Sequence, residues 1–469
     1  MKKQVYNPYL PSYEYIPDGE PRVFNGRLYI YGSHDRFNGD VYCQNDYVCW
    51  SAPETDLSDW RYEGVIFKKT QDPRNADGSH ALWAPDVCQG NDGKYYLYYC
   101  LDFLKEIGVA VADKPEGPFE FLDFVRYPNG DILGARKDEI RQFDPGIFID
   151  DDHRIYLYSG NSPRYKTWPV DKDSLKMELE QDMITVKDGP FHNLPIINDA
   201  DGTEYEAHPF FEASSIRKIN GKYYFVYSST WMHELCWAVA DSPLGEYHYG
   251  GVLVSNADIG YQGDTEARNY RGNTHGSVCL VNGKWYVFYH RHSNRHWFSR
   301  QACAEEIYFD GEAFHQAEIT SCGLNGGPLS GKGVYEARIA CHLYSKFGTC
   351  ESQPDQQDER HPAFTQEGED RECDPNQYIQ NMRDGATAGY KYFQFDGAKK
   401  IAVEVRGDAR GEMVARDGMN GPVVGRIALA PSEKWAWYSA DLTIGDGKKA
   451  LYLTYEGEGS ADMNSIELE

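Results

Sequence analysis

The chain has 469 residues with 47 basic and 73 acidic side chains, and the formal net charge of −26 argues against nucleic-acid and anionic-membrane partners. Its length leaves room for two domains, and no run approaches the roughly 18 apolar residues of a membrane span. Eleven cysteines without a CxxC pair favour buried thiols over disulfides. With no apolar leader at the start, these features indicate a cytoplasmic protein, and they leave its oligomeric state open.

One short phrase recurs five times over about the first 320 residues, at intervals of about 59 to 69 residues. The copies begin at Asn25, Asp92, Asp151, Asn220 and Asn282. Each joins a tight-turn signal to alternating aromatic and β-branched residues, as in NGRLYIYGS, which is typical of a hairpin turn followed by a half-buried strand. His153 replaces the turn glycine in the third copy, so this turn is expected to differ.

The period of the repeat indicates the architecture. About 65 residues hold four short strands, which is one blade of a β-propeller. A second phrase, YVCWSAPETDLSDW, recurs in outline as IGVAVADKPEGPF and CWAVADSPLGEY, always after the first phrase. The sequence therefore predicts an all-β chain whose residues 1–325 form a five-bladed β-propeller.

A polar residue precedes each turn by about seven to nine positions. These residues are Asp18, Asp86, Asp144, Glu212 and His275. In a propeller the strand before this turn is innermost, so we expect four carboxyls and an imidazole to converge on one central cavity. Polar, weakly patterned segments at 125–140 and 165–208 are expected to form loops at its mouth, where binding sites are common.

The C-terminal part has a different pattern. The segment TSCGLNGGPLSGKG marks a linker, and residues 333–469 then show about seven short strands without helical periodicity, which predicts a β-sandwich. A charged insertion from Glu351 is expected to be an exposed loop. Tyr390, Trp435 and Trp437 are candidates for sugar contact, but Trp435 and Trp437 share one face of a strand, which favours the core.

Five ordered motifs carry a resemblance to a known family. NPYLPSYEYIPDGEPRVFNGRLYIYGSHD, LWAPDV, FDPGIFIDDD, FFEASSIRKINGKYYFVYSS and GNTHGSVCLVNGKWYVFYHR resemble glycoside hydrolase family 43, whose fold is a five-bladed propeller. Residues 333–469 resemble a family-6-like carbohydrate-binding module, from which the acidic insertion departs. The resemblance implies an inverting exo-hydrolase that releases α-L-arabinofuranose or β-D-xylose from arabinoxylan or xylo-oligosaccharides, so that plant cell-wall oligosaccharides are the expected partners.

The resemblance also implies catalytic roles. It assigns Asp18 as the general base, Glu212 as the general acid, and Asp144 as the residue that orients the acid and raises its pKa. Inversion needs a base to activate water on one face of the sugar and an acid on the other. Asp18 in Pro-Asp-Gly and Asp144 before proline also fit turn-forming roles, whereas a glutamate inside an apolar strand is costly to bury without a function or a partner.

Further residues are candidates for sugar binding. The resemblance implies an arginine near the reacting sugar, because a guanidinium fork can bind a hydroxyl and a carboxylate together. Arg300 matches the position of this arginine best, and Arg291 is the alternative. The other candidates are His34, Asp35, Trp83, Asp86 and His275. Their structural alternatives are a strand-end turn for His34 and Asp35, core packing for Trp83, a framework role for Asp86 and an axial hydrogen bond for His275.

The family requires no cofactor, but a central calcium ion bound through a histidine at the place of His275 occurs in some members. A single histidine is a poor site for Ca²⁺, which prefers six to eight oxygen ligands. Two alternative functions stay open: an endo-acting arabinanase or xylanase with an open cleft, and a non-catalytic propeller whose carboxylates only hydrogen-bond sugar hydroxyls. The long mouth segments favour a closed, exo-type pocket over a cleft.

Overall fold

The structure is a computed structural model that describes residues 3–168, 171–349, 358–372 and 376–469. In these ranges the chain is built from β-strands, and its short helical turns are of the 3-10 type, at Lys69–Gln71, Tyr261–Gly263, Gly323–Asn325 and Ala337–Ile339. The all-β class is confirmed. No helix in the described ranges is long and apolar enough to cross a membrane. The charged insertion from Glu351 was expected to be an exposed loop, and its residues 351–357 and 373–375 lie outside the described ranges. The expectation is wrong for residues 361–366, which are buried and include a strand at Ala363–Gln366.

Five antiparallel sheets follow one another along the chain, each a simple meander. Sheet 1 holds β1 (Glu20–Phe24), β2 (Arg27–Tyr31), β3 (Tyr47–Pro53) and β4 (Arg61–Phe67); sheet 2 holds β5 (Leu82–Gln89), β6 (Tyr95–Leu101), β7 (Ile107–Ala112) and β8 (Glu120–Phe124); sheet 3 holds β9 (Gly146–Ile149), β10 (Ile155–Gly160), β11 (Ser174–Leu179) and β12 (Val186–His192). Sheet 4 holds β13 (Phe210–Ile219), β14 (Lys222–Ser229), β15 (Glu234–Ala240) and β16 (His248–Ser255), and sheet 5 holds β17 (Val278–Val281), β18 (Lys284–His292) and β19 (Arg300–Glu306). A small hairpin follows, β20 (Tyr308–Phe309) and β21 (Phe314–His315).

The repeats occupy equivalent places in these sheets. The five copies of the first phrase form the second strands, β2, β6, β10, β14 and β18, and the second phrase forms the third strands β3, β7 and β15. The segment 165–208, expected to be a loop, also contains strands β11 and β12. That expectation was wrong because Leu175, Met177 and Leu179 alternate along β11 and are buried, a short pattern hidden among charged residues.

The turns between first and second strands are of two kinds. In sheets 1, 4 and 5 two residues connect the strands and both have positive φ, as at Asn25 (51°) and Gly26 (76°). In sheets 2 and 3 the longer connections 90–94 and 150–154 have positive φ only at Gly93 (84°) and His153 (67°). The third turn therefore differs from three of the others but matches the second, with His153 in the conformation that Gly93 adopts.

Hydrophobic clusters join the five sheets in a closed cyclic order. Separate clusters lie between sheets 1 and 2, 2 and 3, 3 and 4, and 4 and 5. The fifth cluster returns from sheet 5 to sheet 1, where Ile30 and Trp50 pack with Phe288 and Ala302. The first strands contact one another at the centre, since β1 touches β5 and β17, and β9 touches β5 and β13. Residues at the ends of these first strands are thereby brought together.

The remaining strands form two six-stranded sheets. Sheet 6 holds β22 (Leu329–Ser330), β24 (His342–Tyr344), β27 (Thr387–Phe395), β29 (Arg410–Asp417), β30 (Val423–Leu429) and β32 (Gly447–Glu458), and sheet 7 holds β23 (Gly333–Glu336), β25 (Ala363–Gln366), β26 (Gln377–Met382), β28 (Lys400–Gly407), β31 (Ser432–Asp441) and β33 (Ala461–Leu468). Both sheets contribute to one core, with Phe393 and Leu451 from sheet 6 and Val403 and Ile466 from sheet 7.

The C-terminal tryptophans are not in this core, so the core placement expected for them is corrected. Trp437 is 45% exposed, and Trp435 is half-buried under the guanidinium of Arg406, 4.3 Å from the ring centroid. The opposite face of β31, with Tyr438 and Ala440, packs against the core instead. The nine described cysteines are buried and unpaired, as expected for thiols.

Candidate active site

A cavity of about 240 Å³ lies where the ends of the first strands meet. Six of the residues singled out from the sequence line it: Asp18, Trp83, Asp144, Glu212, His275 and Arg300. They come from all five sheets or from the residues just before them. The cyclic packing of the sheets thus brings together side chains that are up to 282 positions apart in the chain.

Asp18 is held as an anion by its neighbours. Arg300 Nη1 donates to Asp18 Oδ1 at 3.1 Å, and the Asp18 backbone N–H donates to His290 Nδ1 at 3.1 Å. Burial by itself would raise the pKa of Asp18, but the positive potential of Arg300, aided by His290 and His275, outweighs it and lowers the pKa to about 2. Asp18 is therefore ionised throughout the neutral pH range.

Arg300 is in turn fixed by a second carboxylate. Its Nε and Nη2 donate to the two oxygens of Asp35 at 2.8 and 2.9 Å, which is a bidentate pair. Its guanidinium also lies over the ring of Tyr42, 4.5 Å from the centroid. Because Arg300 is only 2% exposed, this pairing compensates its burial and presents the remaining nitrogen, Nη1, to Asp18.

Glu212 reaches the cavity through an irregularity in β13. The register between β13 and β14 shifts on both sides of Glu212, and the next residue, Ala213, has a φ of 71°. A bulge of this kind re-aims a side chain and exposes a backbone amide. Here the Ala213 N–H donates to Asp144 Oδ2 at 3.1 Å, so the same bulge directs Glu212 into the cavity and binds Asp144.

Glu212 is in the opposite protonation state from Asp18. Burial first, and then the negative charges of Asp144 and Asp18, raise the pKa of Glu212 to about 8, although His275 and Arg300 pull it down. Burial likewise raises the pKa of Asp144. His275 Nδ1 lies 3.4 Å from Asp144 Oδ2; burial opposes its charge, but Asp144, Asp18 and Glu20 raise its pKa to about 9. At neutral pH Glu212 therefore retains its proton while Asp18, in the same cavity, is an anion.

Four candidate binding residues do not line the cavity, and their expected sugar contacts are corrected. His34 is buried against Glu14 and the Asp46 carbonyl, and Asp35 lies behind Arg300. Asp86 is bound by the guanidinium of Arg22 at 2.5 and 3.0 Å. Arg291 faces away, since it donates to the carbonyl oxygens of Arg338 and Ala340, both at 2.6 Å. Each of these four side chains is held by hydrogen bonds or an ion pair to residues distant in sequence.

The axis below the cavity does not fit a calcium ion. In the first strands, the guanidiniums of Arg22 and Arg217 bind the carboxylates of Asp86 and Glu20, both at 2.5 Å. The raised pKa of His275 opposes metal binding, because a protonated ring offers no nitrogen lone pair. Calcium needs six to eight oxygen ligands, and these carboxylate oxygens are already bound by two cations. The guanidiniums of Arg22 and Arg217 therefore supply, near these carboxylates, the positive charge that a calcium ion would otherwise provide.

Several residues that line the cavity were not identified from the sequence. They are Tyr42, Cys43, Phe143, Arg164, Trp168, Lys172, Met232, Asn273 and Trp297, with other neighbours. Trp168 and Lys172 belong to the mouth segment 165–208, as expected, whereas no residue of 125–140 lines the cavity in the ranges that the structure describes. Tyr42 and Trp297 stack with ring centroids 6.4 Å apart, but they lie in loops without a repeated register, so the sequence held no signal for them.

Comparison with known proteins agrees with this architecture. The family model described as Glycosyl hydrolases family 43 matches residues 17–314. A protein of Thermoclostridium stercorarium named xylosidase/arabinosidase is 48% identical over 479 residues, which cover 100% of this chain and 99% of that protein. A protein of Xylanibacter ruminicola named beta-xylosidase is 33% identical and covers 64% of this chain and 95% of its own length.

Solved structures of other proteins are similar to this chain in fold. A family 43 enzyme from Xanthomonas citri, solved with xylotriose, has a TM-score of 0.54 and 26% identity over 69% of this chain and 96% of its own. A Bacillus subtilis arabinoxylan arabinofuranohydrolase structure has a TM-score of 0.52 at 20% identity over 98% of this chain and 97% of its own, which shows similarity of fold. With a family model over more than half of its length and a full-length relative at 48% identity, the chain belongs to glycosyl hydrolases family 43.

Proposed function

We propose that this chain is an inverting exo-glycosidase that removes terminal α-L-arabinofuranose or β-D-xylose from arabinoxylan or xylo-oligosaccharides. The observation that carries the proposal is the pair of carboxyls in opposite states in one cavity, Asp18 with a pKa of about 2 and Glu212 with a pKa of about 8. Environments that push two carboxyl pKa values apart are the arrangement that separates a base from an acid.

The proposed reaction is a single displacement. Asp18 takes a proton from a water molecule whose oxygen attacks the anomeric carbon, while Glu212 gives its proton to the glycosidic oxygen as the bond between that oxygen and the sugar breaks. The sugar leaves with inverted configuration, Asp18 protonated and Glu212 ionised, and proton exchange with solvent restores both. Water and these two carboxyls complete the reaction, so no cofactor takes part.

Asp144 and Arg300 have supporting roles in this scheme. Asp144 holds the Ala213 amide at 3.1 Å and, through its charge, raises the pKa of Glu212, so it both orients and tunes the acid. Arg300 holds Asp18 ionised and lines the cavity, where its guanidinium is placed to contact the sugar. His275 offsets the negative charge of Asp144, Asp18 and Glu20.

A terminal pentose suits the dimensions and composition of the cavity. Its volume of about 240 Å³ lies below the roughly 300–1,000 Å³ of pockets for larger ligands, which favours a single sugar ring over a long chain segment. Trp83 and Phe143 supply aromatic walls, and the full-length relative is named for both xylosidase and arabinosidase activity. These features favour an exo-acting pentosidase over an endo-acting enzyme.

At the level of the fold, we propose that sheets 1–5 are the blades of a five-bladed propeller over residues 1–325. Their cyclic packing and the mutual contacts of their first strands support this assignment. We further propose that residues 333–469 form a β-sandwich related to family-6-like carbohydrate-binding modules. The shared core of sheets 6 and 7 supports it.

The assignment of acid and base is tested by the leaving group. Glu212→Gln is expected to lower kcat/KM on xylobiose by about 10²- to 10⁴-fold, because its alkoxide leaving group needs the proton. The loss should be far smaller on p-nitrophenyl β-D-xylopyranoside and α-L-arabinofuranoside, since p-nitrophenolate leaves without protonation. Asp18→Asn is expected to be inactive on all three substrates.

Glu246→Gln, in the turn between β15 and β16, serves as the matched control and should behave as wild type. Proton NMR of the first product should show the inverted anomer. A wild type that cleaves no pentoside, or a Glu212→Gln variant with equal losses on both kinds of leaving group, would refute the proposed roles.

A further inference from the structure

A segment of the C-terminal part reaches the wall of the active-site cavity. It comprises residues 365–371, called here the clamp segment, and it contacts residues 34–45, called here the wall loop, which connects β2 to β3. The wall loop supplies Tyr42 and Cys43 to the cavity. We propose that Asp370 is a positioning residue that holds Asp35, Arg300 and the base Asp18 in place, so that the C-terminal sheets form part of the active site. The proposal rests on the function proposed above.

Asp370 binds the wall loop with both carboxylate oxygens. The backbone N–H of Phe37 donates to Oδ1 at 2.7 Å, and the side-chain amide of Asn45 donates to Oδ2 at 3.1 Å. Hydrogen bonds to an ionised carboxylate are among the stronger ones in proteins. Two bonds near opposite ends of the loop therefore fix its shape, and both come from a single side chain of the C-terminal part.

A continuous series of hydrogen bonds leads from this contact to the base. The Asn45 amide that binds Asp370 also donates to the Asp35 carbonyl oxygen at 3.1 Å. The Asp35 carboxylate accepts the Cys43 N–H at 2.9 Å and the backbone N–H of Arg300 at 3.0 Å, in addition to its bidentate pair with the guanidinium. Arg300 then binds Asp18. A displacement of the wall loop is thus transmitted to the guanidinium that keeps Asp18 ionised.

Neighbouring residues of the clamp segment anchor it on the same side of the cavity. Arg371 binds His34 Nε2 at 2.9 Å and also contacts Glu14, while the Tyr15 hydroxyl donates to Gln366 at 2.6 Å. The Thr365 hydroxyl donates to Asn294 Oδ1 at 3.1 Å. Asn294 lies in the loop between β18 and β19, which also carries the cavity residue Trp297. Both loops of this wall are therefore tied to the C-terminal part.

The test compares Asp370→Ala with Glu369→Ala. Glu369 is exposed and adjacent, so its substitution removes the same charge from the same segment, and its described hydrogen bond is to Glu372 and not to the wall loop. Asp370→Ala is expected to lower kcat/KM on xylobiose by about 10- to 100-fold, the scale of a misplacement near 1 Å. The acid limb of its pH profile should move upward by about one pH unit, because a loosened Arg300 lowers the Asp18 pKa less.

Hydrogen exchange read by mass spectrometry gives a readout independent of activity. Exchange over residues 34–45 should increase in Asp370→Ala and stay unchanged in Glu369→Ala, and Asp370→Asn, which retains one acceptor oxygen, should lie between. Unchanged exchange in the wall loop, or an activity loss matched by the loss of folded protein with no shift of the acid limb, overturns the proposal. A wild type without pentosidase activity would refute the proposed function, while the exchange data would still decide the role of Asp370.

Discussion

Two carboxyls of the same chemistry have opposite protonation states in this cavity because their neighbours differ. Asp18 is bound by a guanidinium that outweighs its burial, whereas Glu212 is buried with a negative neighbour, Asp144, and binds no cation directly among the described contacts. At neutral pH Asp18 is therefore ionised and Glu212 keeps its proton, as the proposed base and acid require. The proposed catalytic roles therefore depend on the partners of each carboxyl more than on the carboxyl itself.

Removing the negative charge of Asp144 tests this dependence. In Asp144→Asn the Glu212 pKa is expected to fall, and since the acid works only when protonated, the basic limb of kcat/KM should move from near pH 8 to lower pH by about one unit. Because Glu212, Asp144 and His275 interact, the profile reports apparent values for the group. The measurement is kcat/KM on xylobiose from pH 4 to 10, with the exposed substitution Asp152→Asn as control. A limb at the wild-type position would exclude the tuning role of Asp144.

At the scale of a single element, the bulge in β13 both directs the Glu212 side chain into the cavity and presents the Ala213 N–H to Asp144. Ala213 has a φ of 71°, and Asp144 has one of 43°, conformations that are costly for residues with a side chain. In a regular strand the Ala213 N–H would lie in the plane of the sheet, where backbone amides pair with neighbouring strands, and would not be free for Asp144 beside the Glu212 side chain. The register shifts on either side of Glu212 make this arrangement possible.

Substitutions at Ala213 test the bulge. Ala213→Val is expected to cost about 1–3 kcal/mol in the free energy of unfolding and to reduce activity about 100-fold, since a β-branched side chain resists positive φ and the site is fully buried. Ala213→Gly accepts this φ and should keep activity within a few-fold of wild type. Thermal unfolding and kcat on xylobiose measure both effects. A fully active Ala213→Val enzyme would show that the bulge can relax without consequence.

Across the whole molecule, two partly buried arginines connect the first strands of all five sheets. Arg22 in β1 binds Asp86 in β5 and the Ile147 carbonyl oxygen in β9, at 2.5 and 3.2 Å. Arg217 in β13 binds Glu20 in β1 and the Val278 carbonyl oxygen in β17, at 2.5 and 2.9 Å. These bonds complete, along the axis, the cyclic packing that the hydrophobic clusters provide between the sheets.

Breaking one of these pairs should destabilise the chain strongly. Arg22→Met leaves the Asp86 carboxylate buried without its cation, at an expected cost of about 3–5 kcal/mol in the free energy of unfolding. Arg22→Met combined with Asp86→Leu should recover most of this loss, because both charges are then removed. Arg154→Met, at an exposed pair, should change stability by less than about 0.5 kcal/mol. Urea unfolding compares the four proteins, and a double variant no more stable than Arg22→Met would contradict this account.

The sequence by itself determined the elements that repeat. Turn signals and alternating residues located the second strands β2, β6, β10, β14 and β18. A nearly constant register before each turn also selected Asp18, Asp144, Glu212 and His275, which share one cavity. These features could be predicted because each depends on residues close together in the chain, where local propensity and periodicity operate.

Only the tertiary structure decided which partner each of these residues meets. The same register also selected Asp86, but Arg22, 64 positions away, binds it, and Arg291 turns toward the C-terminal part, 47 positions away. The contact of Arg300 with Asp18 spans 282 positions, and that of Asp370 with Phe37 spans 333. Burial and charge set the pKa of a side chain through the groups around it in space. Because the closing of the ring and the docking of the C-terminal part bring those groups together, no local pattern could have revealed them.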